Sequence, residues 1–469
     1  MLFNSYLFIY LFLPLTFAGY FFLNSRNKET LSKLWLFGAS LFFYGWWNAN
    51  YAPLILGSVI CNYYLGRAIS LNNGNTGISK KTFLFIGLSF NLGLLGFFKY
   101  ADFLIINLNN FSQNPIPLPN IILPLAISFF TFQQIAYLVD VYKGKVTEHS
   151  FITYGVFICF FPQLIAGPIV HHSEMIPQFL NIKNKLIDYR NIATGIFIFT
   201  LGLFKKLVIA DHFSLWVTPA FDEAASLTFI EGWAASLSYT FQIYFDFSGY
   251  MDMATGAALL FNIKLPINFN SPYRSLSIRE FWRRWHVTLG RFLKDYLYIP
   301  LGGNQKGEIN TYRNLLITLG LAGLWHGAAW SFMVWGGLHG LALVVHRLWL
   351  KMGVEMNKYL AWFLTFNFLN FSWVIFRANE WDDAIKVFRA MFGLEGIGLR
   401  YYQFFPETGS VFFPATVIGV FLILGLKANS NHLTNHLILD KRTIAAFFIL
   451  FYACVINLSA PTEFLYFRF

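Results

Sequence analysis

Long apolar runs recur from one end of this chain to the other, and they constrain its fold more than any other feature. Three of them are almost free of charge: SYLFIYLFLPLTFAGYFFL (5–23), TFLFIGLSFNLGLLGFF (82–98) and TIAAFFILFYACVINL (443–458). A helix needs roughly 20 residues to cross a hydrocarbon layer of about 30 Å. Only 12% of the 469 residues are charged, about half the share found in soluble domains. The sequence therefore predicts an all-α, polytopic helical membrane protein.

The apolar runs predict a core of roughly 11–13 transmembrane or re-entrant helices, with amphipathic helices at the membrane surface. The predicted spans lie near 5–23, 33–48, 52–69, 82–98, 120–139, 151–168, 192–210, 228–245, 250–262, 313–349, 359–376, 410–426 and 442–459. The first span has neither a basic leader nor a small-residue cleavage site, so we expect a retained helix and not a signal peptide.

No internal repeat and no soluble domain interrupts these spans. We therefore predict one membrane-embedded domain over residues 1–469, made of N-terminal helices (1–112), a motif-bearing core (120–349) and C-terminal helices (350–469).

The formal net charge of +11 comes from cations that lie between the apolar runs. This placement is typical of cytoplasmic loops under the positive-inside rule, and it does not favour nucleic-acid binding. The three cysteines, Cys61, Cys159 and Cys454, lie within apolar stretches. We interpret them as reduced packing residues, and no spacing of cysteine and histidine predicts a metal site.

The segment FWRRWHVTLG (281–290) gathers cations and a histidine in an otherwise apolar chain. Drawn as one helix over 277–296, it has an apolar stripe and an opposite cationic side, with His286 at the border. This pattern predicts an interfacial helix, and six Arg/Lys against two Asp/Glu within 271–300 favour the cytoplasmic face. Each arginine here can anchor the helix to lipid head groups or bind an anionic cofactor such as a coenzyme A phosphate.

A second unusual region runs from Arg313 to Arg347, too long for one ordinary crossing. Its stretch GLWHGAAWSFMVWGGLHG (323–340) holds five glycines, which predict a broken helix of the kind that lines sites within membranes. If the chain is helical from Arg313 onward, His326 lies roughly 20 Å from Arg313 along the helix axis, near the middle of the membrane. An imidazole at that depth is either a proton-transfer group or a neutral hydrogen-bonding residue between helices.

Other polar residues in apolar surroundings have simpler interpretations. His339 and His346 share one helical face and predict interhelical hydrogen bonds. Asp140, Asp246 and Asp252 are predicted to pair with arginine or lysine. No G-x-S-x-G sequence predicts a serine nucleophile.

Four stretches together resemble the membrane-bound O-acyltransferase family, in particular its bacterial branch that includes the alginate O-acetylation proteins. They are ISFFTFQQIAYLVDVYKG (127–144), FFPQLIAGPIV (160–170), FDFSGYMDMATGAALLFNIKLPINFNSPYRSLSIREFWRRWHVTLGRFLKDYLYIPLGGNQKG (245–307) and RNLLITLGLAGLWHGAAWSFMVWGGLHG (313–340). The resemblance implies that His326 is the catalytic base and His286 its supporting polar residue. Binding of the acyl donor is then expected at Arg279, Arg283, Arg284, Trp285 and Trp325.

The resemblance also implies a function. We expect an enzyme of the bacterial cytoplasmic membrane, with no permanently bound cofactor. It would move an acetyl group from a cytoplasmic thioester, acetyl-CoA, to an extracytoplasmic polysaccharide such as an alginate-like polymer or peptidoglycan, working with a periplasmic transferase. Expected partners are thus lipids, donor, polysaccharide and that transferase, and not nucleic acid. A D-alanyl transfer protein of teichoic acid synthesis, a transporter or channel, and an export scaffold are the alternatives.

Overall fold

The computed structural model describes residues 1–72, 78–146, 150–398 and 429–459, together with residues 417, 420, 421 and 465. Every regular element among them is a helix. The helices up to residue 223 are α1 (Phe8–Ser25), α2 (Glu29–Gly45), α3 (Ala49–Leu71), α4 (Lys80–Asn109), α5 (Ile127–Tyr142), α6 (Phe151–Cys159), α7 (His172–Leu180) and α8 (Tyr189–Glu223), with single helical turns at Phe161–Leu164 and Ile182–Lys185. The helices after that residue are α9 (Phe229–Leu260), α10 (Ile278–Trp282), α11 (Val287–Leu293), α12 (Glu308–His326), α13 (Trp330–Lys351), α14 (Lys358–Arg377), α15 (Trp381–Met391), α16 (Ser430–His436) and α17 (Lys441–Asn457).

Five of the described helices, α1, α3, α4, α8 and α14, are long and apolar enough to cross a membrane. Large apolar side chains on them point away from the protein: Phe22, Phe85 and Phe363 are 59%, 69% and 55% exposed. Such surfaces are unfavourable in water and are accommodated by lipid. The chain is therefore a multi-pass, all-α membrane protein, as the sequence predicts.

Side chains of polar residues fix where several helices begin. The Ser79 hydroxyl accepts a hydrogen bond from the Thr82 backbone N–H at 3.1 Å. Asn357 and Asp440 likewise cap the first turns of α14 and α17. Their side-chain oxygens accept hydrogen bonds from the backbone N–H groups of Tyr359 and Thr443 at 2.9 and 2.8 Å. Each contact satisfies a backbone donor that the first turn leaves without an intrahelical partner.

The first compact unit comprises residues 1–199 and 250–266. Within it, α3, α4 and α5 pack around buried amides. Asn91 Nδ2 donates to Asn62 Oδ1 at 2.6 Å, and Gln134 Oε1 accepts from Ser58 Oγ at 2.9 Å. Hydrogen bonds between helices replace the solvation that these groups lose in an apolar interior.

The second compact unit comprises residues 200–249 and 267–469, and both predicted histidines belong to it. Here α12 packs along α13, α13 along α14, and α14 along α15. The region 313–349, predicted to be too long for one crossing, is indeed two helices, separated by residues 327–329.

Three predicted spans, 151–168, 228–245 and 250–262, differ from the structure. The spans 228–245 and 250–262 form the single helix α9. Gly249 lies inside this helix, and its missing side chain allows close packing, since a Cβ there would lie 2.8 Å from Gly202 O. The span 151–168 is interrupted at Phe160, which adopts φ −49° and ψ 110°, and continues only as the short helix Phe161–Leu164. The span 410–426 lies almost entirely outside the described residues.

The predicted helix over 277–296 is also wrong as drawn. It is broken into α10 and α11, because His286 between them has φ 44° and ψ 51°. This left-handed conformation is uncommon for a residue with a side chain. The aromatic side, expected to face the membrane from an interfacial helix, packs inside the protein instead, since Phe281 and Trp285 are 0% and 3% exposed.

Candidate active site

The turn at His286 brings its imidazole into the interior of the second unit. Predicted at the edge of an apolar stripe, His286 is instead fully buried, because the left-handed turn redirects the chain between α10 and α11. Asn268 stabilises this turn from a preceding loop. Its backbone carbonyl accepts from Val287 N–H at 3.0 Å, and its side-chain oxygen accepts from Thr288 N–H at 3.1 Å and Thr288 Oγ1 at 2.9 Å.

His326 is the last residue of α12 and is 7% exposed. Its ring centroid lies 6.4 Å from that of His286. Trp325 contacts both imidazoles, with ring centroids 6.0 Å from His286 and 5.0 Å from His326. The structure thus brings both predicted histidines and Trp325 together.

Close packing of α12 against α13 holds His326 in place. A Cβ on Gly323 would lie 2.1 Å from Phe332 O, and one on Gly336 would lie 2.2 Å from Leu319 O. These glycines therefore allow two backbones to touch, and the helix break that they were expected to produce is confined to residues 327–329. Beyond the break, Trp335 and Phe376 each place a ring 5.3 Å from His326.

A small cavity of about 20 Å³ opens onto His326. Its lining is aromatic and aliphatic apart from the histidine and one carboxylate: Ile243, Asp246, Phe247, Trp285, His326, Trp373, Phe376 and Leu465. We call it the histidine pocket. Low polarity strengthens every electrostatic interaction inside it.

The carboxylate of the histidine pocket belongs to a buried ion-pair network. Lys206 Nζ lies 2.6 Å from Asp246 Oδ1 and 2.6 Å from Asp211 Oδ1. Lys206 and Asp246 are both 2% exposed. The predicted pairing of Asp246 with a basic residue is therefore confirmed.

A second, open pocket of about 1160 Å³ is lined in part by cations. Its charged residues are Arg279, Arg283, Arg291, Lys294, Asp295, Arg347 and Lys351. We call it the cationic pocket. The excess of positive charge suits a ligand carrying several phosphates.

The residues predicted to bind the acyl donor do not all lie in one pocket. Arg279 and Arg283 line the cationic pocket, whereas Trp285 lines the histidine pocket. Arg284 lines neither. Its guanidinium pairs with Glu280 Oε1 at 2.8 Å and donates to Asn270 O at 3.1 Å, so it stabilises the loop leading to His286.

Remaining polar residues behave as structural groups. His339 Nε2 lies 3.2 Å from Ser372 Oγ, the predicted interhelical hydrogen bond, while His346 lines the cationic pocket. In the first unit, Asp140 Oδ1 lies 3.9 Å from Lys145 Nζ, which confirms its pairing.

The three cysteines are free thiols, as predicted, and Cys159 and Cys454 are buried. Sequence reasoning missed Asn268, Lys206 and Trp373. Asn268 lies in the quoted run LPINFNSPYR (265–274), but only its tertiary contact with the His286 turn reveals its importance.

Comparison with known proteins agrees with this geometry. Residues 41–378 match the family model of the membrane-bound O-acyltransferases. The chain is 47% identical to a peptidoglycan O-acetyltransferase of Helicobacter pylori, over 100% of this chain and 98% of that protein. It is 40% identical to a probable alginate O-acetylase of Pseudomonas aeruginosa, over 84% of this chain and 75% of that protein.

A more distant similarity links the chain to a teichoic acid D-alanyltransferase of Streptococcus thermophilus, with 27% identity over 54% of this chain and 68% of that protein. All three relatives are transferases by name, which argues against the transporter and scaffold alternatives. The chain belongs to the membrane-bound O-acyltransferase family and is an acyltransferase.

Proposed function

We propose that this enzyme transfers an acetyl group from acetyl-CoA to a hydroxyl group, for O-acetylation of an extracytoplasmic polysaccharide. The observation that carries the proposal is the pairing of His286 and His326 beside an apolar pocket. A hydroxyl is a weak nucleophile until a base takes its proton, and imidazole is the side chain best suited to that at neutral pH.

In the proposed reaction, His326 takes the proton of the attacking hydroxyl as its oxygen bonds to the thioester carbonyl carbon. The carbon–sulfur bond then breaks, and the proton passes from the imidazolium to the departing thiolate. The products are an acetyl ester and a free thiol. The aromatic lining excludes water, which limits loss of the acetyl group to hydrolysis.

The cationic pocket supports a phosphate-bearing donor. Arg279 and Arg283 are presented to it from the α10 segment, and Arg347 from α13. Guanidinium groups bind phosphate oxygens through paired, charge-assisted hydrogen bonds. Clusters of Lys and Arg next to membrane spans are typical of the cytoplasmic side. The cationic pocket is therefore expected on that side, where acyl-CoA is available.

Peptidoglycan is our proposed acceptor, because similarity to the peptidoglycan O-acetyltransferase extends over the whole chain. Similarity to the D-alanyltransferase covers only about half of it, which makes D-alanyl transfer the weaker alternative. We place the enzyme in the bacterial cytoplasmic membrane. A periplasmic transferase is the proposed partner that completes transfer, since the histidine pocket has no evident sugar-binding surface among the described residues.

The acceptor is tested by deleting the gene in its native host and measuring base-released acetate from purified peptidoglycan and from exopolysaccharide. We expect the acetate of peptidoglycan to be lost, and to return with the wild-type gene but not with His326→Ala. Immunoblotting of membranes confirms equal amounts of both proteins. Unchanged peptidoglycan acetate, with loss from exopolysaccharide alone, would contradict the proposed acceptor.

A further inference from the structure

Asn268 determines which nitrogen of His286 carries a proton. The side-chain oxygen of Asn268 accepts a hydrogen bond from the Thr288 backbone N–H at 3.1 Å. A backbone N–H only donates, so the Asn268 atom facing it is the amide oxygen and not the NH₂ group. The same oxygen lies 3.2 Å from His286 Nδ1. Nδ1 must therefore be the protonated nitrogen that donates to it.

The other ring nitrogen, Nε2, is buried and has no hydrogen-bond partner among the described residues. His286 lies outside the five membrane-crossing helices, and burial lowers the pKa of its imidazole to about 3. The ring is therefore neutral near pH 7. With its single proton on Nδ1, a neutral His286 presents a lone pair at Nε2, and this atom can accept a hydrogen bond but cannot donate one.

Other rings of the second unit surround the buried imidazole of His286. Phe247 lies 4.9 Å from the His286 ring, Trp325 6.0 Å and His326 6.4 Å, measured between centroids. A centroid separation of 6.4 Å is too long for a direct hydrogen bond between the two imidazoles, and it is within the span that one bridging oxygen atom can cover. A lone pair on His286 Nε2 stabilises a protonated, positively charged imidazole at His326.

We propose that Asn268 is a positioning residue that holds His286 in the Nδ1–H tautomer, so that its Nε2 stabilises the protonated form of His326 through a bridging oxygen. The role assigned to His326 rests on the proposed function, whereas the tautomer of His286 rests on the geometry alone. This assignment also changes the expected chemistry. The one N–H of a neutral His286 donates to Asn268, so a hydrogen bond to the oxyanion of the reacting thioester must come from another group.

A purely structural role for Asn268 is the competing explanation, since its oxygen also caps the first turn of α11. Thr288→Val provides the matched control. It removes the Thr288 Oγ1 hydrogen bond to the same oxygen but keeps the backbone N–H and the imidazole contact. Asn268→Leu removes the acceptor of the imidazole, and Asn268→Asp retains one.

The test is solid-state ¹⁵N NMR of the full-length protein in lipid vesicles, with labelled histidine and the His286 signals assigned by difference from His286→Gln. We expect wild type, Thr288→Val and Asn268→Asp to show protonated Nδ1 and unprotonated Nε2. Asn268→Leu should shift His286 toward the Nε2–H tautomer that free imidazole side chains prefer. Protonated Nε2 in the wild type would overturn the proposal even if Asn268→Leu fails to fold, and so would an unchanged tautomer in Asn268→Leu.

Kinetics of acetyl transfer then separate this inference from the proposed function. Asn268→Leu should lower kcat by about tenfold or more without changing KM for acetyl-CoA, as expected for a catalytic imidazole in the wrong tautomer. Equal kcat in Asn268→Leu and Thr288→Val would overturn the positioning role. The predicted tautomer in a wild-type protein that transfers no acetyl group would sustain the Asn268 assignment and reject the proposed donor chemistry.

Discussion

His286 and His326 lie near each other in the second unit, with 6.4 Å between ring centroids, although His286 precedes α11 and His326 ends α12. The left-handed turn between α10 and α11 positions His286 in the site, and the C-terminal end of α12 positions His326 there. Each is thus held by backbone geometry and not only by its side-chain contacts. This precision is what a proton-transfer site requires, because small displacements of catalytic groups are costly to the rate.

Loss of Arg283 should weaken donor binding, whereas loss of its neighbour Arg284 should not. Arg283 lines the cationic pocket, but Arg284 is paired with Glu280. We expect Arg283→Gln to raise KM for acetyl-CoA by about tenfold, the loss of one charge-assisted phosphate contact. Increasing salt should reduce the difference. Initial rates at varied donor concentration measure both variants, and an equal increase in KM for Arg284→Gln would contradict the assignment of the pocket.

Adding one methyl group at Gly336 should disrupt the close contact of α12 and α13. Its Cβ would lie 2.2 Å from Leu319 O, whereas Gly337 has nothing within 4 Å of its Cβ position. We therefore expect Gly336→Ala to lower thermal stability and activity together, since the displaced α12 carries His326. Gly337→Ala is the control and should match or slightly exceed the wild type, because alanine favours helix.

The experiment for the glycine pair is a thermal melt of each purified variant in detergent, followed by an activity assay at low temperature. Equal melting temperatures for the two variants would contradict the close contact of α12 and α13, because they would show that moving these helices apart costs little stability.

Lys206→Met should destabilise the protein more than Asp246→Asn does. The lysine variant leaves Asp246 and Asp211 without their shared cation, while the asparagine variant keeps the contact of Lys206 with Asp211. Breaking a buried pair by removing one partner costs about 3–5 kcal/mol. Denaturant unfolding in mixed micelles compares the two free energies. A larger loss in Asp246→Asn would show that Lys206 is not the centre of the network.

The cationic pocket should open to the cytoplasm. In a background where Cys61, Cys159 and Cys454 are replaced by alanine, Arg291→Cys should react with a membrane-impermeant maleimide only in inside-out vesicles. Arg291 lines the open pocket, so the introduced thiol is accessible from that side. Labelling only in right-side-out vesicles would reverse the proposed orientation and remove the route for a cytoplasmic donor.

Much of this fold could be predicted from the sequence, because a helix that crosses the lipid bilayer must be about 20 residues long and mostly apolar. The two histidines and their family pattern were also predictable, and the free cysteines followed from their apolar surroundings. The break at His286 was not predictable from helical periodicity. The residues around it suit a continuous amphipathic helix. The turn is stabilised by hydrogen bonds that Val287 and Thr288 donate to Asn268, which lies in a separate loop.

The glycines show a second limit of pattern reasoning. Five glycines between residues 323 and 340 predict a loss of helix, yet Gly323 and Gly336 lie within helices and serve close packing. A helix break and a tight helix–helix contact both require a missing side chain. Only the position of the neighbouring backbone distinguishes them.

The central claim is that the His326 imidazole takes the proton that allows acetyl transfer. It is tested most directly with purified protein in lipid vesicles, with radiolabelled acetyl-CoA outside, a soluble peptidoglycan fragment and any required partner inside. Wild type should transfer label to the fragment, and His326→Ala should do so at least about 100-fold more slowly while keeping the same melting temperature. Equal transfer by the two proteins would contradict the account.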